Sequence, residues 1–329
     1  MVLPPDMSTS HILLQLLRNH TGNWISGERL SRELGVTRSA VWKHVSRLRR
    51  DGYTIASAPR KGYRLTQTTP LLLPEEVQSG LRTRYFGQGK VLYLEATDST
   101  NTRARELANR GAPEGTLVVA EKQTAGRGRK GRVWHSPEQE GIYLSLILRP
   151  KISPLEAPKI TLLAGIAAAE SILSLADIDV HIKWPNDILI GNRKVAGVLT
   201  EIASDLDEVS HVVTGLGMNV NVRAFPPELQ DVATSLYLEI GRPVDRSALV
   251  RTFLERYEPH YTTFLEGRTD AILERWKALS RTLGSRIGVE ISGRRITGVA
   301  RNIERDGSLI LETPDGKMHR VFSGDLETL

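Results

Sequence analysis

The 329-residue sequence contains no cysteine, which excludes disulfides, thiolate metal sites and cysteine nucleophiles together. Aromatic residues are scarce at 5%, and no apolar run approaches the ~20 residues needed to span a bilayer. Hydrophobic usage of 40% and charged usage of 25% are ordinary for a globular chain. The N-terminus has neither a basic n-region nor an apolar h-region with a cleavage site. These absences predict a cytoplasmic protein that does not enter a membrane. At ~100–200 residues per domain, two or three domains are expected.

What charge there is falls unevenly. Residues 1–65 hold eleven Lys or Arg against four Asp or Glu, while the rest of the chain holds 33 against 34. The net charge of +6 is therefore an N-terminal property, and an asymmetry of this sign points to a polyanion partner for that segment.

Ile12, Leu13, Leu16 and Leu17 form one helical face behind candidate caps Ser8 and Ser10. A second helix starts at Ser26 and stops at Gly35. Thr37 can cap a third, in which Val41, Val45 and Leu48 make a buried stripe and Ser39, Lys43, Ser46, Arg47 and Arg50 a polar face. Tyr53–Ala58 and Tyr63–Leu65 read as strands around Pro59-Arg60-Lys61-Gly62. Two helices joined by a short turn, followed by a hairpin with a cationic tip, predict a winged helix-turn-helix over residues 1–66. Its DNA-contacting candidates are Arg38, Ser39, Lys43, Arg47, Arg60 and Lys61.

The polar run Thr66–Thr69 with Pro70 reads as a linker. Beyond it, short β-branched runs (Val91–Leu94, Thr116–Ala120, Ile142–Leu148, Val180–Lys183, Ile188–Ile190, Val195–Leu199, Val212–Gly215) alternate with helical patterns at Thr100–Asn109 and Pro158–Leu173. Gly191-Asn192 between two strands is a tight-hairpin signal, so residues 67–282 are expected to form an α+β domain on a mixed, largely antiparallel sheet. Helical pattern returns at Pro243–Lys277. Residues 283–329 read as four short strands with turns at Ser292-Gly293, Asp306-Gly307 and Asp315-Gly316, a small β-barrel.

Four segments carry chemistry. Gly126-Arg127-Gly128-Arg129-Lys130-Gly131-Arg132 combines close-approaching backbone with guanidinium forks suited to phosphate and carboxylate, at a spacing that is neither a Walker loop nor a dinucleotide-binding turn. Lys183-Trp184-Pro185-Asn186-Asp187 and Arg193-Lys194-Val195-Ala196-Gly197 set lysines, an asparagine and a carboxylate around one turn. Gly215-Leu216-Gly217-Met218-Asn219-Val220-Asn221 places two asparagines on alternate positions of one strand face, where amides can hold a ribose, a phosphate or a hydrated metal.

With Asp98-Ser99-Thr100-Asn101 and Gln123-Thr124-Ala125 ahead of them, these segments occur in the order found in the bifunctional biotin-protein ligases that double as biotin operon repressors, and the chain resembles that family over its whole length. The resemblance implies a central domain related to lipoate ligases and distantly to class II aminoacyl-tRNA synthetases. It implies two half-reactions: biotin and ATP, with Mg2+, give biotinoyl-adenylate, and a lysine of a biotin carboxyl carrier protein then takes the biotin. It further implies biotin contacts from Ser99, Thr100, Asn101, Gln123, Arg127, Gly128, Arg129 and Lys194, and ATP contacts from Arg132, Lys183, Asn186 and Asn219. Lys194, Asp187 and Arg129 are the catalytic candidates. Operator DNA and a homodimer formed in the adenylate-bound state complete the expected partners.

Elementary chemistry asks for the same groups. Joining a carboxylate to a phosphate brings anions together, so fixed cations are needed. An acceptor lysine of pKa ~10.4 must lose its proton at neutral pH, costing ~4.6 kcal/mol, which a nearby carboxylate such as Asp187 relieves. Two departures stand out: Phe225 lies where some family members cover the adenine with tryptophan, and no carboxylate cluster marks a metal site. A lipoate or octanoate ligase, and a biotin-sensing repressor without catalysis, are the alternatives.

Overall fold

The computed structural model of the chain describes residues 9–205, 208–291 and 294–329. Ser8 and the Ser292-Gly293 turn lie outside the described residues. The chain divides into two compact units, Met1–Glu76 and Val77–Leu329. No helix among the described residues is long and apolar enough to cross a membrane.

In the first unit, α1 (Thr9–Asn19), α2 (Gly27–Leu34) and α3 (Arg38–Arg50) precede the antiparallel hairpin of β1 (Thr54–Ala58) and β2 (Gly62–Gln67). The Ser26 and Thr37 hydroxyls accept the N–H groups of Arg29 and Ala40, and Gly35 ends α2 in the left-handed region at φ 65°. These satisfy helix-end groups that would otherwise lack partners. Leu13, Leu17, Leu30, Val41, Val45, Leu48 and Ile55 close the core. Ser10 is not a cap: it sits inside α1, buried, with its hydroxyl 2.9 Å from His44 Nδ1. Thr69, in the polar run after the wing, is buried.

After α4 (Pro74–Gln78), the second unit is built on β3 (Val91–Leu94), α5 (Thr100–Asn109), β4 (Leu117–Ala120), β5 (Gly141–Leu148), α6 (Pro158–Leu173), β6 (Val180–Lys183), β7 (Asp187–Ile190), β8 (Arg193–Ser204) and β9 (Val209–Asn219). The sheet order is β3-β4-β5-β9-β8-β7-β6, with β3/β4 its parallel pair and the others antiparallel. Helix α6 is apolar nearly all round because it is covered on two sides, by β8 and by α8 (Arg246–Leu265), which follows the short α7 (Leu236–Ile240). Helix α9 (Thr269–Leu279) leads to β10 (Arg286–Ile291), β11 (Arg294–Ile303), β12 (Leu309–Glu312), β13 (Met318–Val321) and β14 (Leu326–Thr328).

The C-terminal strands form a sheet of order β13-β12-β11-β10-β14. It is a small β module, as expected, but an open sheet rather than a closed barrel. Its outer strands, four and three residues long, are too short to wrap round and pair. Strand β14, absent from the sequence reading, adds the edge beside β10.

Candidate active site

A cavity of about 190 Å³ opens on the central sheet where β5, β8 and β9 meet the N-terminus of α5 and the Gly/Arg segment. Ser99, Thr100, Asn101, Gln123, Arg127, Gly128, Arg129, Arg132, Asn186, Asp187, Lys194 and Asn219 all line it. Lys183 does not. It lines a neighbouring groove with Lys130, Arg132 and Asp325, at the C-terminal sheet.

One end of the cavity is a polar network. The Gln123 side-chain oxygen accepts the Thr100 N–H at 2.8 Å and lies 3.2 Å from the Thr100 hydroxyl, while its amide donates to Ser136 Oγ at 3.1 Å. Ser145 Oγ donates toward Asn101 Oδ1 at 2.6 Å and is 2.8 Å from Thr100 Oγ1. The Ser99 residue is buried at the α5 N-terminus, and its hydroxyl makes no hydrogen bond among the described residues. Asp98 fixes this corner by accepting the Ser99 N–H at 2.8 Å and pairing with Arg103 at 2.9 Å. Desolvation acts to raise the Asp98 pKa, but the Ser99 and Thr97 hydrogen bonds and Arg103 outweigh it and hold the carboxyl below its ordinary range.

The opposite wall carries the charges. Lys194 Nζ lies 2.6 Å from Asp187 Oδ1 and 5.2 Å from the centre of the Trp134 ring. The Trp134 ring rests on Gly217, where an added Cβ would come within 2.6 Å of Trp134 Cε2, so this strand position requires a residue without a side chain. Asn186 donates to Val198 O at 2.8 Å and accepts from Arg129 at 3.2 Å. Trp184, between Lys183 and Asn186, is buried and donates to Gly307 O at 3.0 Å, tying the turn to the C-terminal sheet.

Over the cavity, the Gly/Arg segment is folded back on itself as a hairpin. Arg127 and Val133 form a bridge, Gly128 N donates to Arg132 O at 2.7 Å, and Trp134 N donates to Gly126 O at 2.9 Å. Lys130 takes the bend at φ 54°. Asp325 holds the tip, 2.7 Å from Arg132 and 3.4 Å from Lys130. Burial pushes the Arg129 guanidinium below its ordinary value, against an upward pull from Asp325 and Asp187. Phe225 also lines the cavity, packed with Val222, Ala233 and Leu229.

One expectation changes. Asn219 and Asn221 do not share a strand face, because β9 ends at Asn219 and Asn221 is consumed by a two-way bond to the Val244 backbone, at 3.0 and 2.9 Å. As the sequence suggested, no group of three His, Asp or Glu among the described residues is placed to hold a metal ion. Asp325, Trp134 and Val232 join the lining without having been singled out as site residues.

In the N-terminal unit, Arg38, Ser39, Lys43 and Arg47 are exposed along α3, and Arg60 and Lys61 are exposed at the hairpin tip. Arg49 is committed to the scaffold, donating to Ile55 O at 2.7 Å.

Fold and cavity define an acyl ligase domain of the biotin and lipoate type, joined in one chain to a winged helix. The Biotin/lipoate A/B protein ligase family matches residues 93–219, an HTH domain residues 11–64, and the Biotin protein ligase C terminal domain residues 282–327. The chain is 42% identical over 96% of its length to the Bifunctional ligase/repressor BirA of Bacillus spizizenii, covering 97% of that protein, and 32% identical over 95% to BirA of Escherichia coli, again covering 95%. A solved structure of the Aquifex aeolicus biotin protein ligase in complex with biotin and ATP superposes with a TM-score of 0.64 at 30% identity, over 73% of this chain and 100% of that one. The chain belongs to the bifunctional biotin-protein ligase and repressor family.

Proposed function

We propose that this chain activates biotin with ATP, transfers it to a lysine of a biotin carboxyl carrier protein, and represses transcription as a biotin-responsive, operator-bound homodimer in the cytoplasm. The observation that carries the enzymatic half is the Lys194–Asp187 pair at 2.6 Å beneath the Gly/Arg hairpin, in a cavity whose far end offers amide and hydroxyl groups. Ser99, Thr100 and Gln123 suit a ureido ring, which both donates and accepts. Lys194 then faces the carboxylate as it attacks the α-phosphorus, and its positive charge offsets the charge gathered on the bridging oxygens. Arg129 closes over the acyl group, Arg132, with Asn186 and Asn219, serves the phosphates of the magnesium-bound nucleotide, and Lys183 the pyrophosphate side through its adjoining groove.

In the second half-reaction Asp187 takes a proton from the acceptor ammonium, the amine attacks the acyl carbon, the bond to the AMP oxygen breaks, and the nitrogen's second proton leaves with the departing AMP phosphate. The hairpin keeps water from the anhydride while the acceptor approaches. Incubation with labelled biotin, ATP and a carrier domain should place the label on the carrier lysine. A lysine-to-arginine carrier labelled equally well would refute the transfer.

The repressor half rests on the exposed cations of α3 and the hairpin tip. For dimerisation, β8 runs beyond its ladder with β7, which ends at Gly197, and beyond the Asn186 contacts at Val198, so among the described residues 200–204 have no strand partner on that side and leave an edge for a second copy once the adenylate has ordered the hairpin. Sedimentation in saturating biotin and ATP that still shows a monomer would overturn this step.

A further inference from the structure

Glu201 lies on β8 outside the cavity lining, yet three donors converge on its carboxylate. Arg127 is 3.0 Å away, Arg105 3.6 Å, and the Asn101 amide donates to it at 2.9 Å. Arg127 stands at the base of the Gly/Arg hairpin, and Asn101 stands in the first turn of α5. Asn101 is itself buried, donates also to Leu199 O at 3.2 Å, and receives Ser145, which is 2.8 Å from Thr100. Its place is enforced from below: a Cβ on Gly215 would fall 2.1 Å from Asn101 Oδ1. Thr100 in turn is held by Gln123. A continuous set of hydrogen bonds and ion pairs therefore runs from the hairpin base through Glu201, Asn101, Ser145 and Thr100 to Gln123.

We propose that Glu201 is a positioning residue that couples occupancy of the biotin end of the cavity to closure of the hairpin. This rests on the biotin ligase reading above. A ligand that bonds to Thr100 and Gln123 competes for the lone pairs and protons those groups share with Ser145 and Asn101. The Asn101 amide is then redirected, and Glu201 carries the change to Arg127, whose charge it alone neutralises among the described contacts. The tip of the hairpin, held separately by Asp325, is not on this path. Biotin affinity should therefore depend on Glu201, whereas ATP affinity and the chemical step at Lys194 should not.

The test uses the full chain in biotin-dependent ATP–pyrophosphate exchange. Glu201→Gln keeps an acceptor for Asn101 and removes the charge opposite Arg127. Its KM for biotin should rise roughly tenfold, within the usual range of coupling between sites, with kcat and KM for ATP within about twofold of the parent. In an Arg127→Gln background, itself expected to raise KM for biotin similarly, adding Glu201→Gln should change KM by less than about twofold. An unchanged KM for biotin, a parallel loss in kcat and ATP binding, or additive effects of the two substitutions would each overturn the coupling. Should Glu201→Gln not fold, Arg127→Gln on the more exposed side of the pair gives the same readout, and an unchanged KM there is equally fatal. Absence of exchange in the parent would instead strike at the ligase reading itself.

Discussion

Lys194 Nζ and Asp187 Oδ1 lie 2.6 Å apart, brought from the two sides of one turn by the β7–β8 ladder, in which Asp187 opposes Gly197 and Leu189 opposes Lys194. The carboxylate fixes where the ammonium points before any anionic substrate arrives. The substrate anions then take over the ammonium, leaving the carboxylate available to the acceptor lysine. Lys194→Ala should lower adenylate formation by about 10²–10³, the usual cost of removing one group placed where charge gathers, with stopped-flow adenylate formation as the readout.

Asp187→Asn separates the two half-reactions. Its amide still accepts from Lys194 but takes no proton, so transfer to the carrier should fall more than pyrophosphate exchange. The gap should narrow as pH rises and the acceptor lysine deprotonates unaided. Equal losses at every pH between 7 and 9.5 would assign Asp187 to positioning alone.

Arg129 bonds to Asn186 Oδ1 at 3.2 Å and reaches Gly324 O at 3.4 Å, so it closes the hairpin against both the lysine turn and the C-terminal sheet. Arg129→Gly removes both contacts. Release of biotinoyl-adenylate should rise at least roughly tenfold, since each ~1.4 kcal/mol of lost hold is a factor of ten. Asp325→Asn, which loosens the tip at Arg132 and Lys130, should raise KM for ATP more than KM for biotin. Rapid-filtration release rates and exchange kinetics check the two.

Much of this was legible beforehand, for local reasons. Val91–Leu94, Thr100–Asn109, Pro158–Leu173 and Val180–Lys183 end where the sequence says, because their punctuation lies in neighbouring residues such as Pro158 at the start of α6. Gly191, at φ 56°, turns β7 into β8 as its dipeptide implied. Asp325 and Glu201 were not legible. Each is a single carboxylate on or beside a strand, meeting its arginine from 193 or 74 positions away, and nothing in its own neighbourhood announces the partner. Asn221 misled for the opposite reason: its type and spacing suit a ligand, but Val244 uses both ends of its amide.

His181 gives a pH dependence of stability. It is buried on β6, and desolvation, helped by Arg281, holds its pKa below the ordinary 6.5 against the pull of Asp179. The folded state thus resists protonating a group that the unfolded chain protonates readily. Stability from this residue is complete above pH 6.5 and is lost as pH falls through that value toward the folded pKa. Melting temperature should fall between pH 7.5 and 5.5, and His181→Gln should flatten part of that fall.

Leu30 is wholly buried in the first unit, between the helices that place α3. Leu30→Ala should destabilise that unit by about 2–5 kcal/mol, followed by loss of DNA binding, while the exchange activity of the second unit persists. Denaturant unfolding with the two activities followed in parallel checks this.

The central claim is that the cavity activates biotin. Pyrophosphate exchange measured with biotin, lipoate and octanoate in turn tests it most directly. The account predicts exchange with biotin at micromolar concentrations and little with either fatty acid, because Ser99, Thr100 and Gln123 at the far end suit a ureido group rather than an alkyl or disulfide tail. Exchange with lipoate or octanoate and none with biotin would contradict it.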